Sequence, residues 1–276
     1  MENCIPEEGA TIVFRAKTIS GQLSWLLMLT VPVCVIAKQD EGRESKAQAV
    51  LNRAIAGMGT KAPDDSRADG SVLLVEGARQ RKGRIWIVTR GTEQCAQYLR
   101  FEGETSSKIF SKGEMNEISR GKTKIASIEA AASGQCVEFP LAWLESLNKE
   151  PDIASEYIGD EVLSGTAVQH IRLWNTFKSK PGLEELKPLT VKELWCDAVT
   201  GLPIQAAYER RDGRGAAAAV KLLITFSSWR QQSGIKYPGH IEESFNGIPW
   251  ISITIDNIAL GVGLTDADFS VERRAK

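Results

Sequence analysis

The chain has 276 residues, 42% hydrophobic and 25% charged, with 34 basic and 35 acidic side chains. This is a globular balance that excludes a disordered chain, a collagen or a coiled coil. A net charge of -1 offers nucleic acid no electrostatic footprint, and two histidines are too few for most metal sites.

Residues 23–37 (LSWLLMLTVPVCVIA) form the first predicted element, an apolar core of signal-peptide length. It is shorter than the roughly 20 residues of a membrane span, so no stable span is expected. Arg15 and Lys17 lie upstream, and Val35-Ile36-Ala37 fits the small-x-small cleavage rule. Cleavage is therefore expected after Ala37, with 1–37 as signal peptide and 38–276 as one domain in the periplasm or outside the cell. Glu2, Glu7 and Glu8 run against the basic start of such a leader, and the alternatives are an uncleaved anchor or a different start codon. Cys95, Cys136 and Cys196 follow the leader, which allows one disulfide and one free thiol without fixing the pairing.

Residues 44–58 predict a helix. Ala47, Val50, Leu51, Ala54, Ile55 and Met58 make one apolar stripe, and Glu44, Lys46, Gln48 and Arg53 fill the other face. From Ser71 the hydrophobic period changes to two, which predicts strands at about 71–79, 83–91, 95–103, 106–112 and 115–120. Two short helices are expected next, at 124–132 and at 140–148, the second opened by Pro140. Residues 148–156 read as a polar loop. Strands resume at about 162–174, 190–198, 202–210, 217–229, 235–246 and 249–261. The spacing leaves no room for the crossovers that parallel strands need. About eleven antiparallel strands and three helices follow, a mainly β (α+β) class. A sheet this wide twists and curls, and its hollow face needs cover. The helices are the available covers, and the remaining space is either a pocket for an apolar ligand or a filled core.

Catalytic signatures are missing. Gly213-Arg214-Gly215 with Ala218 imitates a dinucleotide loop, but it follows charged residues and leads into a strand, so it reads as a hairpin turn. His170 and His240 sit in strand-like segments with no nucleophile motif. Asp266 and Asp268 read as a surface turn. No cofactor and no metal is expected. Of the tryptophans, Trp86, Trp174, Trp195, Trp229 and Trp250 fall in predicted strands, where they can anchor a core or line a groove.

Residues 194–205 (LWCDAVTGLPIQ) set a Trp-Asp strand before a Thr-Gly-Leu-Pro turn and a second strand. With residues 157–165 (YIGDEVLSG), 226–229 (FSSW), 233–241 (SGIKYPGHI), Asn257 and 264–269 (LTDADF), this pattern resembles the LolA-like superfamily. The resemblance spans about 44–271. It implies an open half-barrel of about eleven antiparallel strands with helices over the hollow. It further implies a non-enzymatic protein that holds lipid or lipoprotein acyl chains, with an envelope protein as a further partner. Arg53 and Arg84 are the candidates for the arginine that lipoprotein carriers use. The rival readings are a structural or interaction protein with a packed-shut core, and a hydrolase with an unrecognised site.

Residues two apart on a strand share a face. Leu222, Ile224 and Phe226 therefore point together, as do Ile251, Ile253 and Ile255. The two strands are expected to be neighbours whose triplets form one ligand-binding patch, with Trp195 at its rim.

Overall fold

The structure, a computed structural model, describes residues 34–59, 61–111, 114–119, 122–125, 137–210 and 220–270. The first helix, α1, is Cys34–Met58, and it thus runs through the expected cleavage point, while the apolar leader core up to residue 33 lies outside the described residues. Six strands follow: β1 Asp65–Glu76, β2 Arg79–Arg90, β3 Gln94–Phe101, β4 Glu104–Ser111, β5 Glu114–Ser119 and β6 Lys122–Ile125. After α2, Pro140–Lys149, come β7 Ile153–Leu163 and β8 Thr166–Asn175. A 3-10 helix at Pro181–Thr190 leads to β9 Lys192–Asp197, β10 Pro203–Arg210, β11 Val220–Ser227, β12 Arg230–Gln232, β13 Ile235–Tyr237, β14 His240–Phe245 and β15 Ile248–Leu260. A second 3-10 helix, Asp266–Phe269, closes the described chain.

Thirteen of these strands form one antiparallel sheet in the order β6-β5-β4-β3-β2-β1-β15-β14-β11-β10-β9-β8-β7. Two meanders thus meet at the β1–β15 ladder, where Ser66 pairs with Leu260 and Leu74 with Ile251. The sheet is open, mainly β and antiparallel, as the strand spacing implies. Its strand count exceeds eleven for local reasons. The expected strand over 162–174 is cut by a turn at Ser164 and Gly165, with φ of 48° and 84°, into the end of β7 and most of β8. The run at 235–246 breaks after Tyr237, and β12 and β13 form a separate hairpin. The helix expected at 124–132 is corrected at its start, because Lys124 and Ile125 close β6; residues 126–132 lie outside the described residues. Residues 153–156, expected as loop, already belong to β7.

All six stripe residues of α1 are buried, in one cluster with α2 and with residues from β1, β2, β3, β7, β8, β9, β10, β11, β14 and β15. We call this helix-covered side of the sheet its inner face. Each fully buried Leu, Ile or Met contributes roughly 1.5–3 kcal/mol, so the apolar stripe dominates the seating of α1. Polar clasps ring it: Arg43 to Glu156 (3.2 Å), Lys46 to Asp160 (3.6 Å) and Gln48 to Asn148 (2.5 Å). Pro140 starts α2, which turns Leu141, Leu144 and Leu147 into the same cluster.

Candidate functional site

On the inner face, β11 presents Leu222, Ile224 and Phe226, and β15 presents Ile251, Ile253 and Ile255, with 0–5% exposure. They form one patch, but the strands are not neighbours. β14 lies between them, and Ile241 bridges Phe226 to Ile253. Glu243 stands in the next row, between Ile224 and Ile251, half-buried. The patch is continuous with the stripe of α1 and with α2, so the helices fill the hollow over these six residues.

Lys192 lies on the same face in the row of Leu222, with Tyr208 between them, its ammonium 5.1 Å from the Tyr208 ring. Burial pushes its pKa down to about 7. Strand alternation finds the face of Lys192 but not its burial, which appears only in the packed fold. Cys196, also inward, is a free thiol whose pKa burial pushes up to about 12. Such a thiol is inert. Cys95 is disulfide-bonded. Cys136 lies outside the described residues.

Trp195 is not at the rim of this patch. Its neighbours Leu194 and Cys196 point inward, so Trp195 points outward, into a separate small cluster with Val168 and Ala207. There it stacks on His170, its cross-strand partner, with ring centroids 4.2 Å apart. The indole NH donates to Glu161 Oε2 (3.0 Å). His170 bridges two carboxylates, Nδ1 to Glu161 (2.7 Å) and Nε2 to Glu193 (2.6 Å), and Arg172 pairs with Glu193 (2.8 Å). Burial opposes charge on His170, but Glu193 and Glu161 outweigh it and raise its pKa above the ordinary 6.5. His240 meets Thr254 (3.4 Å) and Glu242 (3.3 Å). Among the described residues neither histidine bonds a serine, and no three His, Cys, Asp or Glu are placed to hold a metal ion. Asp266 pairs with Arg90, and Asp268 caps the last 3-10 helix through Thr265.

The 197–203 turn is built by Asp197, whose Oδ1 accepts from the backbone of Val199 (2.9 Å) and Thr200 (2.6 Å) and from the Thr200 hydroxyl. These bonds hold its carboxyl below the usual range. Gly201 has φ 76°, and a Cβ there would stand 3.0 Å from Arg53 Cγ. Arg53 crosses from α1 over this turn and donates to the Ala198 carbonyl. Arg84 lies outward and pairs with Asp256 (2.9 Å). Neither arginine enters the inner patch.

An antiparallel sheet left open, with helices over its inner face, defines a half-barrel class. No family model matches the sequence, and no curated protein matches it either. Solved structures do match. A domain described as an outer membrane lipoprotein-sorting protein of Vibrio parahaemolyticus is 14% identical, with TM-score 0.56, over 82% of this chain and 97% of that one. A DUF1329 family protein of Desulfovibrio piger is 13% identical, with TM-score 0.57, over 84% and 98%. A LolA superfamily protein of Nitrosomonas europaea is 12% identical, with TM-score 0.53, over 81% and 97%. The chain has the LolA-like fold.

Proposed function

We propose that the chain is an exported, non-enzymatic protein that holds an acyl chain, of a lipid or of a lipid-modified partner, against its inner face, with α1 as the cover that gives way. One observation carries this reading. The six residues on β11 and β15 belong to one apolar cluster whose outer layer is the stripe of α1. An acyl chain in place of that stripe restores equivalent burial, at about 0.8 kcal/mol per CH₂, so the exchange is between like surfaces. Two of the three clasps around α1 are exposed ion pairs, which contribute only about 0–1 kcal/mol each, and the third is an exposed amide hydrogen bond. The lipoprotein-sorting domain that shares the fold is consistent with such cargo. The 23–37 apolar core and the disulfide at Cys95 support export into an oxidising compartment.

A filled core with no ligand is the second reading, favoured by the near-complete burial of the same six residues. Native mass spectrometry of protein purified from its host, followed by lipid extraction, separates the two. A bound lipid and saturable uptake of a fluorescent fatty acid are expected. An unliganded mass together with no uptake up to the solubility limit leaves the filled core standing. N-terminal sequencing of the same material should begin at Lys38; recovery of Met1 on a cytoplasmic protein refutes export.

A further inference from the structure

The outer face carries a cleft that the inner-face reading does not use. Its volume is about 440 Å³, within the roughly 300–1,000 Å³ of small-molecule sites. Outward residues of β2 and β3 make the floor: Val88, Trp86 and Tyr98, the last two directly opposite each other in the β2–β3 register. Leu264 and the 3-10 helix at Asp266–Phe269 make one wall. That wall is fixed in place. Asp65 accepts from the backbone of Val262 (2.5 Å), Gly263 (2.9 Å) and Leu264 (3.1 Å), and the Tyr98 hydroxyl donates to the Asp268 carbonyl.

Away from that wall the floor meets Arg84 and Arg100, which face each other directly across the two strands. Like charges in that position repel. Arg84 is answered by Asp256, and Arg67, at the side of the cleft, by Asp69 (3.0 Å). Arg100 is exposed and forms no ion pair among the described residues. Ser107, across from Tyr98 on the same face, has a buried hydroxyl with no hydrogen-bond partner among the described residues. An aromatic floor ending in a guanidinium that no carboxylate among the described residues answers matches a flat ligand with a negative end. Arg supplies such recognition through a planar fork of donors.

We propose that this outer cleft binds a planar ring compound bearing one anionic group, a carboxylate or a phosphate, with the ring on Trp86 and Tyr98 and the anion on Arg100. Titration calorimetry with 2-naphthoate, 2-naphthyl phosphate and the neutral 2-naphthamide tests it on the full mature chain. At least one anion should bind, with the amide weaker by about tenfold or more, the loss expected when a charge-assisted bond is removed. The stronger of the two anions identifies the group. Arg100→Glu should weaken the anion by a similar factor without lowering the melting temperature, because the side chain is exposed and the repulsion from Arg84 is relieved. Trp86→Leu should weaken anion and amide together. Ile253→Trp, on the other face, should leave the affinity unchanged while it disturbs fatty-acid uptake. The proposal is overturned if neither anion binds, if the amide binds equally well, or if Arg100→Glu changes nothing. Loss of fatty-acid uptake with naphthoate binding intact would count against the inner-face reading alone.

Discussion

Gly70 sits at the bulge in β1 where the register against β15 shifts, and a Cβ there would stand 2.1 Å from the Thr254 carbonyl oxygen. Gly70→Ala must push the two strands apart, and overpacking of this kind destabilises by about 1–3 kcal/mol or more. Chemical denaturation should report that loss; an unchanged midpoint would mean the strands separate freely. The His170 cluster gives a second residue-scale prediction. The raised pKa of His170 means its contribution is complete below the ordinary 6.5 and is lost as pH rises through the folded value. The lowered values of Glu161 and Glu193 mean theirs is complete above the ordinary 4.5 and is lost as pH falls through the folded values. The joint contribution is therefore greatest between 4.5 and 6.5. The melting-temperature gap between parent and His170→Gln should be widest there and narrow steadily toward alkaline pH. A gap that keeps its size from the 4.5–6.5 window into alkaline pH contradicts the assignment.

At the scale of elements, α1 is seated by its stripe and latched by Arg53 on the 197–203 turn. Arg53→Ala removes the latch from an exposed site. It should lower stability by no more than about 1 kcal/mol while it speeds uptake of a fluorescent fatty acid. Slower or unchanged uptake, measured by stopped flow, would show that α1 is not the moving cover. The stripe itself was legible from residue spacing, because a helix against a sheet buries one face at the 3.6 period. The turn was legible too, since Asp197, Gly201 and Pro203 each have one conformational use there. Trp195 misled for a physical reason: alternation tells which residues share a face, but not which face a helix will cover. Leu194 and Cys196 look no more inward than Trp195 until α1 is docked. The interposition of β14 between β11 and β15 lay within reach of the sequence, since the strand expected at 235–246 falls between them in a meander. The outer cleft had no sequence signal, since it depends on residues 261–270 folding back onto β2 and β3.

For the molecule as a whole, covalent and topological links set what can come apart. Cys95 is bridged and Cys196 is buried and free; if the leader is removed after Ala37 as proposed, Cys136 is the one cysteine left to pair with Cys95. Non-reducing peptide mapping should recover a Cys95–Cys136 linked pair. Cys196 should resist alkylation until the fold is denatured, and a Cys95–Cys196 peptide would contradict both statements. The β1–β15 ladder has a different kind of consequence. It joins the first and the last strands of the sheet, residues near 65 to residues near 260, so the two meanders cannot be zipped together until almost the entire polypeptide is available. Contacts this distant in sequence form slowly. A chain emerging from a ribosome therefore stays open at its centre, with β1 and β14 as bare strand edges, until its final strand is made. If the chain is exported as proposed, that order of events keeps it open for threading through a translocation channel, and it leaves the same bare edges uncovered for as long as threading lasts.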